Sequence, residues 1–485
     1  MSDADYGRLE PAVLWARFRE LAAVPRPPRG EGPALTLLRE WAAGLGLAAV
    51  GAGGDNLLVR VPASAGREGA PIVLLQAHVD MVCERDPSSP YDPATGGIGL
   101  VVDGDWLRAD GTTLGADNGI GVAVMQAVAE SDTRHGPLEL LFTTAEEIGL
   151  EGAGRLDAAA VRGRLLLNLD SEDDGVLTVG CAGATDSRIS AGAERTPALR
   201  SEAALRVTVS GAAGGHSGMD IASGRANAIK VLAGCLQEMA GHVPCRLASM
   251  DGGTSRNAIP REAEAVVLVP EASAAAAWGV VEAAGRQAQA AFAATDPGVR
   301  VAVADAPAPP AACTAGRTAT LIDLLVALPN GPLVMSSRFP GVVETSTSLG
   351  AVETSPDVLE VHSLTRTSNQ AALRDVLGAL AAVARLAGAD LDVQHGYPAW
   401  EPRPSSHLLE TCVAVWRDLF GDVPVVAAAH AGLEPAVIGQ SIPDLDMVSV
   451  GPRIESPHSP AERVSISSVQ RFWRFLLATL DALSA

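Results

Sequence analysis

Apolar and polar positions follow two periods along this chain, and the mix of the two changes near residue 186. Residues 9–22 and 33–46 repeat apolar side chains at helical spacing, broken by the proline-rich "VPRPPRGEGP". "NLLVRVP" (56–62) and "PIVLLQAHVDMV" (71–82) are short apolar runs that predict strands. "GIGVAVMQAVAES" (119–131) predicts a helix that starts directly after "LGADN". "LELLFTTAEE" (138–147) and "RLLLNLDSED" (164–173) predict two further strands, each running from apolar into acidic residues. Strands alternating with helices predict an α/β fold with a mostly parallel sheet.

Beyond residue 186 the strands become amphipathic. "ALRVTVSGAAGGHSG" (204–218), "REAEAVVLVP" (261–270) and "DVLEVHSLTRTS" (357–368) predict strands. Helical stretches at 226–241, 271–294 and 369–388 separate them, and "DAPAPPAACTAG" (305–316) reads as a loop or linker. From about residue 398 helices and strands of the first kind return. The simplest organisation is one catalytic α/β domain in two segments, 1–186 and 398–485, with a smaller α+β domain, 187–397, inserted between them. A chain of 485 residues suits two or more cores better than one.

Composition narrows the function. Hydrophobic residues make up 47% and charged residues 19%, as in ordinary globular proteins. The formal net charge of −21 makes nucleic acid a poor partner. No apolar run reaches the roughly 18 residues of a membrane span. The N-terminus "MSDADYGRLEP" lacks the basic and apolar regions of a signal peptide, so a cytoplasmic location is expected. The six cysteines are scattered without a CxxC pair, which argues against a disulfide framework and a thiolate zinc site. A metal here would rest on histidines and carboxylates.

Five stretches could supply those ligands. In "QAHVDMV", His78 and Asp80 are two residues apart on an apolar strand, which would turn both to one face. In "GTTLGADNGIG", Asp117 sits between glycines before a helix and suits either an N-cap or a metal ligand. Glu146 and Glu147 end an apolar strand side by side. One could bind a metal while the other takes a proton from water, though spacing alone leaves open which does which. Asp170 ends the leucine-rich run 165–169, and His458 lies between two prolines. Two imidazoles and three carboxylates, mostly at strand C-terminal ends, suit a pair of neighbouring cations.

These motifs occur in order with "GCAGA", "GGHSG", "GGTSRNAIPREA", "PNG", "GVVETS", "HAGLE" and "DMVSVGPRIESPHSP". Together they resemble the M20 metallopeptidase family, and within it the aminoacyl-histidine dipeptidases, across nearly the whole chain. The resemblance implies a zinc-peptidase-like catalytic domain with an inserted lid and dimerisation domain. It implies two zinc ions, or cobalt or manganese in their place. His78 and Asp170 would hold one ion, Glu147 and His458 the other, and Asp117 would bridge them. Asp80 would orient His78, and Glu146 would be the general base. His216 would donate to the tetrahedral oxyanion, while Asn257 and Arg366 would hold the substrate. His430 of "HAGLE" could line the pocket. The implied activity is hydrolysis of unblocked dipeptides, Xaa-His and β-alanyl-histidine among them, by a homodimer. Other M20 activities (tripeptidase, N-acyl amino acid deacylase) and a non-catalytic metal- or peptide-binding protein on the same fold are the alternatives. The relatives carry Cys where this chain has Pro435.

Overall fold

The computed structural model describes residues 6–485; the N-terminal stretch read above for a leader therefore lies partly outside the described residues. The chain divides into two compact units. One comprises residues 1–181, 400–428 and 432–485, and the other residues 182–399 and 429–431.

The larger unit is built on one sheet. Its strands are β1 (Ala48–Gly51), β2 (Leu57–Val61), β3 (Val73–His78), β4 (Leu138–Thr143), β5 (Leu165–Asn168), β6 (Val176–Cys181), β7 (Val425–Ala429) and β8 (Asp446–Ser449), in the order β1-β2-β4-β3-β5-β8-β6-β7. The central four strands β4, β3, β5 and β8 run parallel, and β1, β2 and β6 pair antiparallel. β3 and β4 are buried at every position, as their unbroken apolar runs require of strands covered on both faces. Helices α1 (Ala12–Ala22), α2 (Gly32–Gly44), α3 (Ala116–Glu130), α4 (His407–Phe420), α5 (Glu434–Ser441) and α6 (Ile466–Leu483) complete the unit.

β3 stops at His78, so Asp80 stands beyond the strand. The expectation that both side chains share a strand face is therefore corrected: the chain has already left the ladder. A second, four-stranded sheet went unpredicted. It joins Leu100–Asp103, Trp106–Ala109, Arg463–Ser465 and Ile454–Glu455. Its Asp-Gly turn at 103–104 between alternating residues is a hairpin signal. This sheet pairs Arg463 with Arg108 and Val464 with Leu107. It thereby ties the hairpin that carries His458 to the strand that leads into Asp117.

The smaller unit holds a nine-stranded sheet whose strand pairs are all antiparallel. Helices Ala228–His242, Ala274–Ala291, Ala315–Ala327 and Gln370–Leu386 contribute to one apolar core with it. The loop expected over 305–316 is corrected: Ala311–Cys313 pairs with Arg195–Pro197, and a helix begins at Ala315. Among the described residues no helix is long and apolar enough to cross a membrane.

Candidate metal centre

The cluster assembles beyond the C-terminal ends of β3, β4 and β5. His78 closes β3. Its Nδ1 lies 3.1 Å from the backbone oxygen of Asp80, and its Nε2 lies 2.9 Å from Asp117 Oδ1 and 3.3 Å from Asp170 Oδ1. Asp117 faces a second imidazole with its other oxygen: Oδ2 is 3.0 Å from His458 Nε2. His458 Nε2 is also 3.0 Å from Glu147 Oε2. Asp170 accepts a hydrogen bond from Asn118 Nδ2.

Asp80 meets His78 with two groups: its carbonyl oxygen is 3.1 Å from Nδ1 and its carboxylate is 3.6 Å from the same nitrogen. The carboxylate also accepts the backbone N–H groups of Glu146 and Glu147, each at 3.1 Å. It fixes the turn that follows β4, where Ala145 adopts a left-handed φ of 51°. That turn allows two adjacent glutamates to approach one site, which a continued strand would forbid.

Three overlapping sets place their nitrogen and oxygen atoms within 4.8 Å of one another. They are His78 with Glu146 and Glu147, His78 with Asp117 and Asp170, and Asp117 with Glu147 and His458. Electrostatics bears on what such a site can hold. Burial pushes the carboxyls of Glu146, Glu147 and Asp170 up, and neighbouring carboxylates add to it. Burial opposes protonation of His458, but its hydrogen bonds to the carboxylates of Asp117 and Glu147 carry it up to about 11. Burial also acts on Asp117, where the two imidazoles outweigh it and hold the carboxyl far below its usual range. Glu147 Oε1 is buried and has no hydrogen-bond partner among the described residues. Imidazole nitrogens and carboxylate oxygens crowded at this density fit divalent cations, whose charge would replace the protons.

Other buried groups support the centre, and the sequence reading missed them. Glu434 accepts hydrogen bonds from Gln76 Nε2 and Thr143 Oγ1. Gln76 continues through Asn168 to Ser449. These polar residues form a row across β4, β3, β5 and β8, two positions before His78 and Asp170. Polar side chains inside otherwise apolar strands were the available signal. Burial and nearby carboxylates push Glu172 up to about 9. Pro435 occupies the first turn of α5, where a missing N–H costs nothing.

The second predicted group lies in the smaller unit. Gly215–His216 pairs with Ala258–Ile259, and Ser217 N–H donates to the Asn257 carbonyl. The Asn257 side chain is exposed. His216 Nδ1 accepts the N–H groups of Gly218 and Met219, which leaves the proton of the neutral ring on Nε2. Nε2 stands 3.2 Å from Arg366 Nη2, so both groups offer donors to the same region. Arg366 is 3% exposed and also donates to the Tyr397 hydroxyl at 2.6 Å. Two donors facing each other suit an anion. His430 is buried nearby, 2.7 Å from Ser346 Oγ.

A sheet with a parallel centre and a polar cluster beyond its strand ends, rich in imidazole and carboxylate, suits a metal-dependent hydrolase of the α/β class. The particular family follows from the sequence: the chain belongs to peptidase family M20/M25/M40, which it matches over residues 74–482. It is 35% identical to the cytosol non-specific dipeptidase of Escherichia coli (strain K12), over 99% of this chain and 100% of that one. Among solved structures it resembles the aminoacylhistidine dipeptidase from Vibrio alginolyticus, with TM-score 0.85, 34% identity and 98% of both chains covered. The aminopeptidase PepT from Bacillus cereus shares the fold, with TM-score 0.57 and 16% identity over 98% of this chain and 100% of that one.

Proposed function

We propose that this chain is a two-metal dipeptidase that hydrolyses unblocked dipeptides, with Xaa-His peptides, including β-alanyl-histidine, among its substrates. The observation that carries the reading is Asp117, whose two oxygens each face a different imidazole. The dipeptidase relatives in E. coli and V. alginolyticus support the substrate class.

His78, Asp117 and Asp170 would hold one cation, and Asp117, Glu147 and His458 the other; zinc, cobalt or manganese suits these donors. When bound, the pair would polarise the scissile carbonyl and lower the pKa of the attacking water. Among the described residues Glu147 Oε2 lies 3.0 Å from His458 Nε2, whereas Glu146 comes within 4.8 Å of a His78 ring nitrogen without an ion pair to it. That difference favours Glu146 as the group that handles protons. Its carboxylate would take a proton from the water as the C–O bond forms. It would return that proton to the amine nitrogen as the C–N bond breaks. Asp80 would hold the Glu146 backbone in register. Arg366 would receive the substrate carboxylate, His216 would donate through Nε2 to the developing oxyanion, and Asn257 would add a polar contact. The smaller unit would mediate a homodimer, which sedimentation of the purified chain decides.

A panel of dipeptides, tripeptides and acylated amino acids, run with and without chelator, tests this function. Cleavage of dipeptides that chelator abolishes is the expected result. Preference for acylated amino acids or tripeptides would replace the substrate assignment, and cleavage indifferent to chelator would remove the metal.

A further inference from the structure

The loop that carries Asp117 is held from both ends of the chain. Glu462 is 2% exposed, and its carboxylate accepts four consecutive backbone N–H groups. Oε2 takes Leu114 at 2.7 Å and Gly115 at 2.9 Å; Oε1 takes Ala116 at 2.8 Å and Asp117 at 3.3 Å. These are the groups that open α3, and no side chain of the helix's own N-cap satisfies them. Arg26 holds the same loop by its opposite polarity. It is 1% exposed and donates to the carbonyls of Val79 at 2.8 Å, Asp80 at 3.2 Å and Gly115 at 2.6 Å. It therefore stitches the Asp117 loop to the segment just after His78.

The glycines of "GTTLGADNGIG" are shaped to this arrangement. A Cβ at Gly115 would sit 2.3 Å from Arg26 Nη2, and one at Gly119 would sit 2.8 Å from it. Gly115 also has a φ of +65°, which side chains rarely adopt. The loop thus gives up side chains where the guanidinium enters. A buried guanidinium and a buried carboxyl act on it with opposite polarity, and the Glu462 carboxyl favours the charged form of Arg26.

We infer that Arg26 and Glu462 are positioning residues: together they clamp the loop Leu114–Asp117 and hold the Asp117 carboxylate between His78 and His458. Neither touches substrate. Both act through Asp117, and so on the paired-metal centre that the proposed function requires.

The test reads the clamp without relying on turnover. Wild type, E462Q, R26K and the double variant are compared in three measurements. These are amide hydrogen exchange over 114–117 in the metal-free protein, zinc stoichiometry, and the affinity for the second zinc by chelator competition. Gln brings an NH2 group towards four N–H donors. Lys cannot reach three carbonyls as a guanidinium does. Each single variant is expected to speed exchange at 114–117 at least about 10-fold. Each should weaken the second zinc about 10–100-fold, the range for residues that orient ligands. The double variant should be no worse than about twofold beyond the worse single, because both act on one loop.

L480A, which opens a cavity in α6, controls for general loss of stability. The clamp is overturned if E462Q keeps two zincs at wild-type affinity, if the two effects multiply, or if L480A weakens zinc equally at a matched melting temperature. R26K carries the same comparison should E462Q fail to fold. A wild type that binds no zinc would sink the functional reading instead, and exchange at 114–117 would still decide the clamp.

Discussion

At the scale of single residues, the adjacent glutamates divide by geometry. Glu147 meets His458 at 3.0 Å, while Glu146 sits among His78, Glu147 and Asp170 with its carboxyl pushed well up by burial. If Glu146 handles the proton, E146Q keeps its metals, binds peptide with little change in KM, and loses about 10²–10⁴ in kcat. Steady-state kinetics alongside metal analysis checks this, and full activity with metal retained would refute the assignment. His430 gives a pH prediction. Burial lowers its pKa to about 4, and the charge of Arg366 acts in the same direction. Between pH 6.5 and 4 the unfolded chain therefore binds a proton that the folded chain refuses, and stability falls as pH drops through that window. The loss amounts to about 3 kcal/mol at most. In H430N, denaturant unfolding at pH 7 and pH 4.5 should differ by correspondingly less than in wild type. An identical pH dependence would show that His430 contributes nothing. Much at this scale was visible in sequence, because ligands that end apolar runs break a hydrophobic pattern. The partners of Asp80, Arg26 and Glu462 were not, because backbone N–H and C=O groups leave no trace in residue identity.

At the scale of elements, one side chain shows composition yielding to geometry. Basic residues here are almost all arginine, yet Lys230 stands alone as lysine. Its Nζ donates to the carbonyls of Leu325, Val326 and Leu328 at 2.8, 2.7 and 2.9 Å, around the C-terminus of the helix Ala315–Ala327. Three carbonyls converging on a point suit an ammonium better than a planar guanidinium. K230M should cost about 1–3 kcal/mol through the unpaired carbonyls. K230R should fail to restore it, and zinc content should not change; thermal melts of all three proteins decide. Element existence was legible where apolar runs were long, as at Val73–His78 and Leu138–Thr143. Gly183–Gly192 was passed over because its inward positions are largely Ala, Thr and Ser, whose alternation is faint. The hairpin carrying His458 was missed because its strands are two and three residues long.

At the scale of the molecule, the sequence order of the centre is scattered and its spatial order is not. Strands β3, β4 and β5 each have a proposed ligand or the proposed base at, or within four residues after, their C-terminal ends. The small sheet brings in Asp117 and His458 from opposite ends of the catalytic segments. The interruption between residues 182 and 399 leaves that construction intact, because β8 returns to lie parallel against β5. The resemblance to M20 enzymes made the grouping legible before the fold was known; spacing alone left each motif with an ordinary structural explanation.

In the proposed function five side chains hold a pair of cations on which peptide cleavage depends. The most direct measurement follows hydrolysis of an unblocked Xaa-His dipeptide as zinc is added stepwise to the metal-free chain, with bound metal counted at each step. Activity should rise to a plateau at two zinc ions per chain, and D117N should neither hold the pair nor reach that plateau. Full activity at one ion per chain, or no cleavage at any metal content, would contradict the account.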